Sequence, residues 1–435
     1  MNLYIHIEVL NREFQSKLLI AMESASKGIK VYMGRLTPYL MRDFFVPGIV
    51  LLKSITPSLN RLNELKYYKK KKFIVTSLDE EVGLINPNKK YLKSRFSDQS
   101  MELTDRVFTW GKFDYDNLSH KFKKHKKKII LSGNPRLDYW RKDFNFFYQN
   151  KKFKYKNFIL FSFNFKLLSE KKFKKYLKYL KDAGYLNRGF TIGHFIKGRK
   201  DSFKMFREFT KLITTLSKKT DLNIIIRPHP ADELKNYKLF KRLKNVKVIN
   251  EGNISEWIYH AKMICHSGCT GGLEASVRGL PTISYIPFVS AHGHKFADKF
   301  SKKTRNLDEC IEIIQKITKN ELKLKKNNFK KIRSRAYNLL SKKPGYKIVV
   351  DEFKKLQKEK KIMKNNNDLF LKFKFKTRDF RSKILNLKYG NIKFSTFKKD
   401  ETLEVFKILK ELSPKYKNLS IDFIKKDIIQ IKNND

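Results

Sequence analysis

Carboxylates are what this sequence is short of: 42 Asp and Glu stand against 97 Lys and Arg, a formal charge of +55 over 435 residues. An excess of that size first suggests a nucleic-acid partner, but its distribution argues otherwise. The last 84 residues, 352–435, hold 23 basic and 11 acidic side chains, a density close to that of the remainder. No basic arm carries the charge. Its even spread reads as compositional drift in a chain rich in Lys, Asn, Ile and Phe, with no specific nucleic acid as partner. A field this positive still draws in phosphates and anionic membrane surfaces.

Cysteine is scarce too. Cys265, Cys269 and Cys310 are too few for a disulfide scaffold, and the first two lack the second pair that a zinc site needs. They read as buried thiols. His292-Gly293-His294 has too few ligands around it for a metal site, so no metal is expected. Long apolar runs are missing: Val46 to Leu52 falls far short of a membrane span. The first ten residues lack the basic and apolar regions of a signal peptide. These absences give the expectation of a cytoplasmic protein, at most peripheral on the inner face of the cytoplasmic membrane. There are no internal repeats and no sustained heptads. With 41% hydrophobic and 14% aromatic residues, the chain has ample material for packed cores.

What is present is an alternation of strand-like and helix-like segments. Leu3 to Val9, Ile29 to Met33, Gly48 to Ser54, Phe73 to Thr76, Arg106 to Thr109 and Lys128 to Ser132 read as strands. Phe14, Leu18, Met22 and Ala25 mark one face of a helix after the first of them. Helix-sized gaps between strands predict a parallel sheet with crossover helices. After a Lys-rich connection from Arg141 to Lys156 the pattern restarts. Strands are expected at Phe158 to Phe163, Leu222 to Ile226, Val246 to Ile249, Met263 to His266 and Thr282 to Ile286, with a helix over 201–218. The fold class is therefore α/β, with two facing Rossmann-like domains and a cleft between them. The expected domains are 1–140 and 157–345, with a closing helix over about 327–362 broken near Pro344-Gly345. Asn365-Asn366-Asn367 reads as a linker to an accessory region, 368–435, of no assigned role.

Three motifs can carry chemistry. In Ile224-Ile225-Ile226-Arg227-Pro228-His229-Pro230 an apolar strand empties into a rigid turn bearing a guanidinium and an imidazole. Ligands of open α/β sheets bind beyond the carboxyl ends of strands, Arg forks onto phosphate, and a protonated His donates to a departing phosphate oxygen. The second motif runs His266-Ser267-Gly268-Cys269-Thr270-Gly271-Gly272-Leu273-Glu274. Its glycines let backbone N–H groups approach an anion at a helix start; Ser267 and Thr270 add hydroxyls, and Glu274 suits ribose hydroxyls. The third is the turn Asp79-Glu80-Glu81-Val82-Gly83, three adjacent carboxylates whose mutual repulsion suits one of them to general-base work. Asn11, Arg12 and Glu13, just after the first strand, and Arg136, after Gly133-Asn134-Pro135, are expected at the cleft edge.

In chain order these motifs resemble the bacterial surface-carbohydrate biosynthesis proteins with a GT-B glycosyltransferase fold. The likeness spans about residues 1–345 and includes Asn11-Arg12-Glu13, the Leu78-to-Glu81 turn, Gly133 to Asp138, Phe163-Asn164-Phe165, Arg227-Pro228-His229-Pro230 and Ser267 to Pro281. The acidic turn and the His-Pro pair are also similar to CMP-sugar transferases, the bacterial sialyltransferases and capsule Kdo transferases. There two acids precede Gly, one being the base, and the His-Pro histidine meets the CMP phosphate. Here Val82 separates Glu81 from Gly83, so Glu80, Asp79 and Glu81 all stay candidates for the base. The Arg-Pro-His-Pro turn also resembles CDP-glycerol glycerophosphotransferases, and the Ser-Gly and Glu-Ala segment resembles UDP-sugar 2-epimerases.

The resemblance implies a glycosyltransferase of surface polysaccharide or lipopolysaccharide assembly, using a nucleotide sugar, CMP-linked by preference. It would be held by Arg227, His229, Ser267, Gly268, Thr270, Gly271 and Glu274, with a glycan or glycolipid acceptor near Asn11, Arg12, Glu13, Arg136 and Asn164. No cofactor beyond that co-substrate is implied. The non-enzymatic rival is a polyanion- or membrane-binding protein on the same scaffold.

Overall fold

The computed structural model describes residues 1–36, 41, 45–80, 94–150, 152–165, 168–182, 191–229, 232–290, 295–324, 332, 334–360, 370–375, 377 and 396–434. Glu81, Val82, Gly83, Pro230, His292, Gly293, His294 and the Asn365–Asn367 segment lie outside them.

Along the chain come β1 (Asn2–His6), α1 (Leu10–Ala25), β2 (Lys30–Gly34), β3 (Ile49–Leu52), α2 (Leu59–Lys70), β4 (Ile74–Leu78), β5 (Arg106–Thr109), α3 (Lys112–Lys121) and β6 (Ile129–Leu131). Then follow β7 (Phe158–Ser162), α4 (Glu170–Asp182), α5 (Ile192–Ser217), β8 (Ile224–Arg227), β9 (Val246–Val248), α6 (Ile254–His260), β10 (Ala261–His266), α7 (Thr270–Val277), β11 (Thr282–Tyr285), β12 (Lys302–Thr304) and α8 (Leu307–Thr318). The last are α9 (Gly345–Lys360), α10 (Lys399–Lys410), β13 (Leu419–Lys425) and β14 (Ile428–Asn433). The fold class is α/β with two Rossmann-type sheets, and the chain divides into two compact units. One comprises Met1–Gly83, Asn88–Lys151 and Lys331–Asp435; the other comprises Leu84–Pro87 and Lys152–Lys330.

The first unit has an eight-stranded sheet in the order β13-β14-β2-β1-β3-β4-β5-β6. Strands β1 to β6 are parallel. Their short apolar runs are buried on both faces, as crossover helices require. Tyr4 stacks on Tyr32 with ring centroids 5.7 Å apart, and Phe45 and Phe73 meet Tyr4 edge-on. The strand order reverses between β1 and β3, so the topological switch point of this unit lies at their carboxyl ends.

The segment expected as an accessory region instead completes this sheet. β14 pairs antiparallel with β2, and β13 with β14. Ile428, Ile429 and Ile431 are fully buried, and Gln430 donates to the Tyr32 hydroxyl at 3.1 Å. Gly34 is needed at the junction: with φ +145°, a Cβ there would come within 2.1 Å of the Asp427 carbonyl oxygen.

The closing helix begins at the break expected near Pro344-Gly345, and residues 334–344 before it are not α-helical. It starts at Gly345, directly after Pro344, and belongs to the first unit, to which the chain returns at Lys331. Asp138 caps it, accepting from the backbone N–H groups of Gly345 and Tyr346, both at 2.9 Å, and from Asn338 Nδ2 at 2.7 Å. Val349, Val350, Phe353 and Leu356 are its buried face, lying beside α1.

The second unit has six parallel strands in the order β12-β11-β10-β7-β8-β9. Its switch point lies between β7 and β10. Phe163 packs against Phe165 and Phe209 at 5.1 Å each on one face of the sheet; Trp257 fills the other. Helix α5 begins nine residues earlier than the sequence pattern suggested, with Thr191 accepting from the His194 N–H as its N-cap.

Candidate functional site

Each sheet gathers its polar residues at its own switch point. In the first unit the turn from β1 into α1 is tied by Glu13. Its carboxylate accepts from the backbone N–H groups of Glu8 (3.1 Å) and Val9 (3.3 Å), from Arg12 Nη2 (3.0 Å) and from Lys17 Nζ (2.7 Å). Burial alone would push the Glu13 carboxyl up; Lys17 and Arg12 outweigh it and hold it below the usual range. Lys17, itself buried, also donates to the His6 carbonyl at 2.7 Å. It stands 3.9 Å from Glu80 Oε1, and Arg136 Nη1 stands 3.7 Å from Glu80 Oε2. The structure thus brings Arg12, Glu13, Glu80 and Arg136 together around one lysine. Asn11 is exposed at the start of α1.

The acidic turn is resolved into separate roles. Asp79 accepts from Arg95 Nε at 2.8 Å, and its carbonyl from Trp110 Nε1 at 2.6 Å. Glu80 turns the other way, toward Lys17 and Arg136. The repulsion expected between adjacent carboxylates is relieved, because each has its own cation. Glu80 Oε2 is buried without a hydrogen bond among the described residues. Glu81 lies outside them. His6, at the end of β1, is half-buried. Burial, with Lys17 and Arg61 adding, lowers its pKa to about 3, so its neutral ring donates from Nδ1 to the Leu36 carbonyl at 3.0 Å.

In the second unit the turn after β10 is built around His266. Burial lowers this imidazole to about 3. As a neutral acceptor, Nδ1 takes the N–H groups of Gly268 (2.9 Å) and Cys269 (3.4 Å), which leaves the proton on Nε2 to donate to Ser301 Oγ at 2.8 Å. Gly268 adopts φ +71°. A Cβ on Gly272 would lie 2.2 Å from the His266 ring, so the helix approaches this closely only with glycine there. Thr270 and Gly271 open α7, and Ser267 Oγ is buried without a hydrogen bond among the described residues. Opposite, at the end of β7, Asn164 Oδ1 is in the same state. Ser162 pairs in register with both His266 and Arg227.

Two expected ligand contacts have other partners. Arg227 is buried and donates from Nη1 to the Ile249 carbonyl and from Nη2 to the Gly252 carbonyl, both at 2.9 Å, while lying 5.1 Å over Trp257. Burial lowers its pKa to about 10. Its fork fastens β8 to the loop after β9 rather than standing open to a phosphate. Glu274 is likewise buried and sits 3.7 Å from Arg278, one helical turn on. His229 is half-buried at the strand end, its N–H donating to Asp232 Oδ2 at 3.2 Å. That carboxylate also takes the Phe165 N–H and the Tyr237 hydroxyl.

Lys17 and Asp232 went unread in the sequence. Lys17 had a usable signal, standing four residues after Glu13 on one helical face. Asp232 had less: His229 and Tyr237 lie three and five residues away, but the Phe165 N–H that ties it to the end of β7 is 67 residues back.

The sequence matches no protein-family model and no curated protein sequence. Solved structures do align. The UDP-GlcNAc 2-epimerase from Neisseria meningitidis bound to UDP-GlcNAc is 14% identical, covering 82% of this chain and 100% of that one with a TM-score of 0.50. The Methanocaldococcus jannaschii UDP-GlcNAc 2-epimerase is also 14% identical over 82% of this chain and 100% of that one, at 0.47. The wall teichoic acid polymerase TagF is 12% identical over 83% and 90%, at 0.43. The likeness is one of fold. It agrees with the two Rossmann-type sheets described above, a GT-B-like architecture. Among the described residues no helix is long and apolar enough to cross a membrane, and no group of three His, Cys, Asp or Glu is placed to hold a metal ion.

Proposed function

We propose that this chain is a GT-B-type glycosyltransferase of surface polysaccharide or lipopolysaccharide assembly, taking a nucleotide sugar, CMP-linked by preference, and a glycan or glycolipid acceptor. One observation carries the reading: Glu80, a buried carboxylate just beyond the carboxyl end of β4 in the first sheet, has one oxygen without a hydrogen bond and a cation on either side. Such a group accepts a proton from a hydroxyl brought to it, and Arg136, with a quarter of its side chain exposed, can orient that hydroxyl.

The Ser267 hydroxyl, buried without a hydrogen bond among the described residues, and the Thr270 hydroxyl at the positive end of α7 offer a leaving phosphate donors without a metal. In the proposed step the acceptor oxygen attacks the anomeric carbon. The bond from that carbon to the phosphate oxygen breaks, and the nucleotide leaves with the electron pair. The hydroxyl proton passes to Glu80. His229 is the imidazole available at the same rim for the departing phosphate.

The test is Glu80→Gln. Turnover should fall by about 10²–10⁴, while affinity for CMP, measured by calorimetry, stays within about twofold of the parent. Unchanged turnover would remove Glu80 from the mechanism. A thermal-shift comparison of CMP, CDP and UDP identifies the donor nucleotide. A stabilising shift confined to UDP, with 2-epimer formed and no acceptor consumed, would replace the transferase by the epimerase reading.

A further inference from the structure

Helix α5 has two apolar faces, and only one is used. Met205, Phe209, Leu212 and Leu216 point into the core of the second unit. On its first three turns Ile192, Ile196 and Phe203 form a second line, within about 40° of one another at the helical repeat. They are 48%, 40% and 38% exposed, and Val289, after β11, is 86% exposed. Cations border this line. Lys197, Lys200 and Lys204 are exposed beside it; Arg199 lies about midway between the Phe173 and Phe203 rings, 5.1 and 5.0 Å from them. Lys204 Nζ stands 4.4 Å over Phe288, next to Val289. Helix α4, which meets α5 through Tyr176 and Phe195, adds six lysines against two carboxylates.

We infer that this face of the second unit, the first three turns of α5 with Val289, docks on an anionic lipid bilayer. Aliphatic side chains among lysines suit the boundary between headgroups and acyl chains, where the apolar atoms leave water and the ammonium groups meet lipid phosphates. A second copy of this chain is a poor occupant, because a two-fold contact would set lysines against lysines. Nucleic acid would use the charges and leave Ile192, Ile196 and Val289 without a role.

Position gives the contact a purpose, which rests on the transferase reading above. Helix α5 joins parallel strands β7 and β8, so it runs against them and begins at the carboxyl-end rim. Val289 follows β11 at the same rim, as do Ser267 and His229. A lipid-linked acceptor would thus be met beside the donor site.

The experiment is co-sedimentation of the full chain, without nucleotide, with vesicles of phosphatidylcholine containing about one-third phosphatidylglycerol, and with phosphatidylcholine alone. The parent should bind only the anionic vesicles. The double variant Ile192→Ser, Ile196→Ser should bind them at least about tenfold more weakly, and Lys197→Glu, Lys200→Glu should not bind. Both should keep the parent's thermal shift with CMP. Charge reversal at Lys123 and Lys127, in the first unit, should leave binding within about twofold. The inference fails if the serine variant binds as the parent does, or if the control reversal weakens binding equally. It also fails if polyuridylate displaces parent and serine variant alike, which would make the partner a nucleic acid. A parent that binds CMP but not the anionic vesicles counts against this surface alone; a parent without CMP binding counts against the donor reading.

Discussion

Lys17 is the residue on which the first unit's cluster turns. It is buried, donates to Glu13 and to the His6 carbonyl, and stands 3.9 Å from Glu80. Beside it, burial and then the charge of Lys17 keep the His6 ring neutral. His266 makes the same choice in the second unit, and it is the cleaner one to test. Its folded value is about 3 against 6.5 for a free ring. Between those values the unfolded chain binds the proton and the folded chain does not, so stability falls as pH falls below about 6.5. Comparing the parent with His266→Gln by urea unfolding, the parent's advantage should be about 2 kcal/mol larger at pH 7 than at pH 5. An equal advantage at both values would mean that the folded ring titrates normally.

At the scale of elements, the working parts are strand-to-helix turns held by single side chains. Glu13 ties β1 to α1, Asp138 starts α9, and His266 shapes the entry to α7. In each, backbone N–H groups that a helix start would leave without partners find an acceptor or stay directed outward. The α7 turn tolerates nothing larger than glycine at 272, since the His266 ring occupies the Cβ position. Gly272→Ala should therefore displace ring or helix, cost about 2 kcal/mol or more, and weaken nucleotide binding more than a Gly198→Ala change, where a Cβ meets nothing within 4 Å and the backbone is helical. Calorimetry with CMP and a thermal melt on both variants check this. Equal nucleotide affinity in the two would separate the turn from the donor site.

At the scale of the molecule, the last forty or so residues complete the first sheet. Residues 396–434 supply two strands, a helix and the Lys415 and Tyr416 partners of Glu23, which is buried in α1. A chain ending at residue 395 would bare the β2 edge and leave Glu23 with Lys27 alone, 3.4 Å away. An uncovered edge with unpaired backbone groups invites association. That chain should be aggregated or lack the first unit's thermal transition, as size-exclusion chromatography and calorimetry would show. A monomeric product with an unchanged transition would make the region dispensable.

How much of this was legible beforehand follows from the range of the interactions. Short apolar runs, helical spacing and the turns between them are local, so the alternation of strands and helices, and with it the two Rossmann-type sheets, could be read from the sequence. The candidate carboxylates and the His266 turn stood at strand ends for the same reason. What only the tertiary structure decided depends on partners far away in the chain. Arg227 faces carbonyls 22 and 25 residues on, Asp138 finds its donors beyond residue 337, and Gln430 reaches Tyr32 across 398 residues. A guanidinium, a carboxylate or a strand edge is satisfied by whichever group packing brings to it, and residue type alone does not name that group.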